Sequence, residues 1–156
     1  MNLTLNADFE PELHAGGGVG DIVINYPNRS IMLEVTLMNK AAQRRGEWEP
    51  VLRHSLNNTA ENEGKQAITF FIADDLDFNT INIWRAVATV PLKSTSTDKI
   101  VNGVIIMPFT NNELAGILEK KISLDSLINS VEDSFNKTEK ITDDSWRRSI
   151  IGNLQA

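Results

Sequence analysis

Two carboxylates stand thirteen positions apart in strand-like surroundings. Asp21 follows Gly20 directly, and Glu34 sits inside Ile31-Met32-Leu33-Glu34-Val35-Thr36-Leu37. If the runs that carry them pair as a hairpin, opposite side chains come within about 5 Å. Two carboxylates meeting at a strand end can share a divalent ion, which polarises a phosphodiester and activates water. Strand alternation adds a check: Met32 and Thr36 share the face of Glu34, while Leu33 and Val35 take the other. A glutamate in so apolar a strand is costly to bury unless it is paired or coordinated. On spacing alone the plainer account is the stronger one, with Asp21 capping a turn and Glu34 facing solvent.

Glu47 is a third candidate. It can lean over the same site from a following helix, or stand as a solvated acid beside Arg44 and Arg45. Arg53 and His54 can contact phosphate or support a carboxylate. A lone histidine is more often structural, and the same applies to His14.

The rest of the composition narrows the metal. With no cysteines and two histidines, thiolate sites, disulfides and a closed all-imidazole zinc site are excluded. Oxygen ligands remain, which suit magnesium, manganese or calcium. The absence of thiols fits a reducing cytosol. No apolar run reaches the roughly 20 residues of a membrane span, and Met1-Asn2-Leu3-Thr4 does not open a signal peptide. The net charge of −6 (15 basic against 21 acidic residues) argues against tight binding of free nucleic acid. Local charge decides that question, however, and a bound divalent ion offsets local acids.

The chain's 156 residues fit a single domain, 1–156. Residues 1–15 read as an irregular lead-in, followed by the glycine cluster of 16–20. Strands are expected at Asp21–Tyr26 and Ile31–Leu37, joined by a turn at Pro27–Ser30. Residues 38–62 have helical spacing, with Pro50 either in the first turn of a helix starting near Glu47 or at a kink. Ala67–Ala73 is a buried central strand. Asp74–Lys93 is a loop and helix with Ile81, Ile83, Trp84 and Val87 as core. Ile100–Met107 is a further strand. Thr110-Asn111-Asn112-Glu113 is a capping box opening a helix to about Lys121, and helices are expected at 123–136 and 142–154. Phe70, Phe71, Trp48 and Trp84 are expected in the core. Alternating strands and helices imply an α/β fold, a mixed central β-sheet flanked by α-helices.

Taken together, Gly20-Asp21-Ile22-Val23, then Ile31 to Leu37, then Gly46-Glu47-Trp48-Glu49-Pro50-Val51-Leu52-Arg53-His54 resemble the cleavage domain of the AlwI family of type IIS restriction and nicking endonucleases. The likeness runs from about Gly16 to Ala73 and extends to Ile106–Thr110 and the tail around Asp144-Ser145-Trp146. It implies a restriction-endonuclease-like PD-(D/E)XK fold and Mg2+-dependent hydrolysis of a phosphodiester in double-stranded DNA, with Mn2+ as a substitute. Carried over by position, Asp21, Glu34, Val35 and Glu47 fall in the metal-binding set, and Thr36, Arg53 and His54 join them in the active site. The general signature has lysine where this chain has Thr36. That leaves the transition-state cation to Lys40, Lys65 or Arg53. Relatives carry a helix with another acid ahead of Asp21, for which Glu10 or Glu12 could substitute. The likeness also implies a prokaryotic cytoplasmic enzyme. It would be a C-terminal fragment or small catalytic subunit relying on a recognition domain or large subunit, and on transient dimerisation for a double-strand break. The alternatives are another nuclease of the superfamily, acting in repair or on branched DNA, and a non-catalytic assembly partner.

Overall fold

The computed structural model describes residues 12–13, 21–137 and 145–155. A five-stranded sheet runs in the order β1 (Glu12–Leu13), β2 (Ile22–Asn25), β3 (Arg29–Val35), β4 (Gln66–Ala73) and β7 (Ile106–Thr110). The expected hairpin is present: β2 and β3 are antiparallel, with Ile22 opposite Leu33 and Asn25 opposite Ser30. β4 lies between β3 and β7 and is parallel to both. The sheet is therefore mixed. Its central strand is the most apolar, as burial on both faces requires.

The two parallel crossovers move across the sheet in the same direction, which places their helices on one face. Those helices are α2 (Trp48–Glu61) and α3 (Phe78–Val87). Val51 and Leu56 of α2 and Ile81 and Trp84 of α3 pack there against Phe71, Ala73 and Ile106. The opposite face carries Ile31, Leu33, Ile68, Phe70, Met107 and Phe109. It is covered by α4 (Asn111–Glu119), α5 (Leu124–Phe135) and α6 (Ser145–Gln155). The alternation read from the sequence is what separates these two cores.

The capping box at Thr110 and Glu113 is formed in both directions. Pro50 falls in the first turn of α2, where its missing N–H costs nothing. Ahead of it the chain makes a short helix α1 (Lys40–Ala42) and a π-helical turn at Gln43–Glu47. This widened turn precedes the proline, whose ring would crowd the carbonyl four residues back in a regular helix.

Several expectations are corrected. The lead-in contributes a strand, since Glu12 and Leu13 pair with Val23 and Ile22. The glycine cluster, Glu10, His14 and Asp144 lie outside the described residues. The run Ile100–Met107 is two strands. β6 (Ile100–Asn102) pairs with β5 (Pro91–Lys93) in a separate hairpin, and only β7 joins the main sheet. Gly103 makes the break. Its φ is 94°, and an added Cβ would meet the Ala88 carbonyl oxygen at 2.6 Å, so no other residue fits without a shift. Ile83 is 47% exposed and Trp48 40% exposed, because α3 turns Ile81 and Trp84 inward and Trp48 stands at the open start of α2. Val87 is half-buried, packing at the rim of the core. β3 ends at Val35, leaving Leu37 exposed past the sheet edge.

Candidate active site at the end of the third strand

Extending the β2–β3 register by one step past Ile22 and Leu33 sets Asp21 across from Glu34. Asp21 is exposed, and its Oδ2 accepts a hydrogen bond of 2.9 Å from the Val35 backbone N–H. Val35 itself turns its side chain away from Glu34, as alternation demands. Glu34 is buried, on the same face as Met32 and Thr36, where α2 lies over it. His54, on the inner side of α2, brings Nδ1 to 2.7 Å from Glu34 Oε1. Their side chains are only 14% and 8% exposed. Burial pushes the Glu34 carboxyl above the usual glutamate value. The His54 hydrogen bond and charge oppose that rise, and Asp21 and Glu47 add to it. Two further acids are therefore close enough for Glu34 to feel their charge.

Glu47 does not pair with Arg44 or Arg45. Its Oε1 accepts from the Thr36 hydroxyl at 3.0 Å, and the Met38 N–H donates to the same hydroxyl at 3.1 Å. Thr36 thus fastens Glu47 to the end of β3.

The remaining candidates separate. Arg53 Nε donates to Glu49 Oε1 at 3.0 Å, one turn back along the outside of α2, while His54 faces inward. Lys65 precedes β4 at the end of the sheet opposite Glu34, whose register partner is Phe71. At roughly 3.3 Å per residue this is about 17–20 Å away, so Lys65 cannot serve as the transition-state cation of this site. Lys40 opens α1, four residues past Thr36.

Two residues were missed. Gln43 is fully buried, and its side-chain amide donates to the Met38 and Asp75 carbonyls and accepts from the Asp77 N–H. Asp77 is buried too. It caps α3 through Thr80 and receives Arg44 at 2.8 Å. Burial raises its carboxyl, but the bonds from Arg44 and Thr80 win and hold it below the usual aspartate value. Asp77, three residues ahead of Thr80, was a readable N-cap signal. Gln43 had no signal, since a buried glutamine reads like a solvated one.

Among the described residues, no group of three or more His, Asp or Glu side chains is gathered into a ready-made metal cage. Asp21, Glu34 and Glu47 are each held by a donor within the protein. The donor set nevertheless fits a hard divalent cation that keeps several waters and binds through one or two carboxylates. It does not fit a tetrahedral zinc site.

The family model of the AlwI restriction endonuclease matches residues 1–117. The chain belongs to the AlwI restriction endonuclease family. That match takes in every strand of the main sheet, all three acids and His54. Among solved structures, the small subunit of the heterodimeric restriction endonuclease R.BspD6I is similar at a TM-score of 0.58 and 16% identity. The alignment covers 90% of this chain and 69% of that one. At that identity the likeness is one of fold, a mixed sheet between helical layers. No curated protein matches.

Proposed function

We propose that this chain is a Mg2+-dependent DNA phosphodiesterase, the cleavage module or small subunit of a type IIS restriction endonuclease of PD-(D/E)XK type. The observation that carries the reading is Glu34: a carboxylate buried at the end of β3, opposite Asp21, bonded to His54 and within the field of Glu47. Burying an acid among acids is unfavourable for the folded chain alone and becomes favourable once a cation joins them. Asp21 and Glu34 would hold the ion, with Val35 and Glu47 completing the set. A divalent cation there supplies Lewis-acid polarisation of a phosphodiester and activates water. His54 orients Glu34, and Thr36 keeps Glu47 turned toward the same edge. One such site cuts one strand. A double-strand break needs a second catalytic domain, and sequence choice needs a recognition domain or large subunit. This reading places the protein in a prokaryotic cytoplasm. Among the described residues, no helix is long and apolar enough to cross a membrane.

Supercoiled plasmid incubated with the chain and magnesium, alone and with a candidate recognition subunit, tests the reading. Nicked circles are expected with magnesium or manganese and none with calcium or chelator. Asp21→Ala is expected to abolish nicking. Cleavage that survives that substitution would remove the assignment.

A further inference from the structure

The segment between Thr36 and Glu47 contributes no carboxylate to the site described above. Its ten residues, Leu37 to Gly46, contain three cations, Lys40, Arg44 and Arg45, and no acid, in a chain of net charge −6. The Thr36–Glu47 hydrogen bond closes its two ends together, so the segment is a loop rooted at the acids. Gln43 splints it from inside through the Met38 carbonyl and ties it to the turn before α3 through Asp75 and Asp77. Arg44 is spent on Asp77. Lys40 and Arg45 are exposed, and among the described residues neither has a carboxylate within ion-pair distance. Elsewhere among the described residues Arg53, Lys93 and Lys99 each have one, while Lys65, Lys121 and Lys137, which do not, lie away from the acids on other segments of the chain.

Two unneutralised cations on a pinned segment create a local positive field beside a negative site. A polyanion delivering one phosphate to the acids must run its neighbouring phosphates along that border. Resting on the nuclease reading, we propose that Lys40 and Arg45 grip the backbone of duplex DNA on phosphates flanking the one presented to Asp21 and Glu34. Charge complementarity decides for DNA. The segment supplies the positive potential that the net charge of the whole chain withholds, and its rigidity sets the backbone's approach without reading bases.

The test is fluorescence anisotropy of a labelled duplex in calcium, across a salt series, with the full chain. The double variant Lys40→Gln/Arg45→Gln is expected to bind at least about tenfold more weakly near 100 mM salt. Its slope of log affinity against log salt should shrink by about 1.8, two phosphates at ~0.9 each. The control double variant Lys121→Gln/Lys137→Gln, at the ends of α4 and α5, should match the wild type. Both should melt with it, which separates lost contacts from lost fold. An unchanged slope, an equal loss in the control, or no wild-type binding at low salt overturns the proposal. So does a variant that loses affinity for a protein partner while its DNA slope stays intact. Plasmid nicking is scored separately. Wild-type nicking with an unchanged slope in the variant rejects the grip and leaves the nuclease. The expected slopes without nicking, partner included, reject the nuclease and keep the grip.

Discussion

Glu34→Gln is expected to abolish magnesium-dependent nicking, a loss of at least ~10³-fold or about 4 kcal/mol of transition-state stabilisation. Glutamine keeps the volume and an acceptor for His54 Nδ1 while removing the charge. A second readout is thermal unfolding. Burial, and then Asp21 and Glu47, raise the Glu34 carboxyl above its ordinary value of 4.5 despite His54. The folded chain therefore holds that proton more tightly than the unfolded chain. The associated stability is fully present below the ordinary glutamate value and is lost as pH rises through the raised one. Once the pH exceeds the raised value the metal-free wild type has lost it, and the glutamine variant never depended on it. The variant should then gain on the wild type in Tm as pH rises and converge with it below the ordinary glutamate range. Magnesium should offset that gain. At ten times its Kd it stabilises the wild type by about 1.4 kcal/mol and the variant far less. Equal magnesium shifts in the two proteins, or nicking by the variant, would sink the metal assignment to Glu34.

The largest effect on stability is expected at Trp84. It is fully buried, meets Phe71 edge-on at 4.7 Å between ring centroids, and donates its indole N–H to the Trp48 carbonyl at 2.9 Å. It thus joins α3 to the first turn of α2 and packs under the β4 residue that stands in register with Glu34. Trp84→Ala empties that space, costing about 3–5 kcal/mol. For a domain of this size that is roughly 8–16 °C in Tm. Trp84→Phe keeps most of the ring area and loses the hydrogen bond, so it should cost about 1–2 kcal/mol. Calorimetry of the three proteins checks the order. A Tm within about 2 °C of the wild type for Trp84→Ala would show that the two helices do not depend on this side chain.

Trp84 and the β2–β3 hairpin mark where reading from residues alone succeeds. The β2–β3 hairpin follows from apolar alternation around Pro27-Asn28, and its register alone sets Asp21 across from Glu34. The apolar run ending at Ala73 fixes β4 as the central strand, and Thr110 with Glu113 announces α4. These signals are local. Each depends on residues a few positions apart, where alternation or a cap is complete in itself. Ile100–Met107 shows how local signals mislead. The run reads as one strand, but the approach of Gly103 to Ala88 breaks it in two, and nothing within the run reports a contact fifteen residues back.

Type and spacing allowed the carboxylate pair but favoured a Glu34 facing solvent; the structure corrects that by burying it under α2, and it was the resemblance that drew Glu47 and His54 into the same set. The sequence by itself determined the chemistry on offer: hard oxygen ligands, no thiols, and two acids on paired strands. Only the tertiary structure decided how that chemistry is held. Packing α2 across the sheet turns His54 onto Glu34 and sends Arg53 outward to Glu49. Folding back residues 37–46 ties Thr36 to Glu47. Those pairings join side chains eleven and twenty positions apart. They arise because burial removes water as the competing partner, a condition that exists only once the helix is docked.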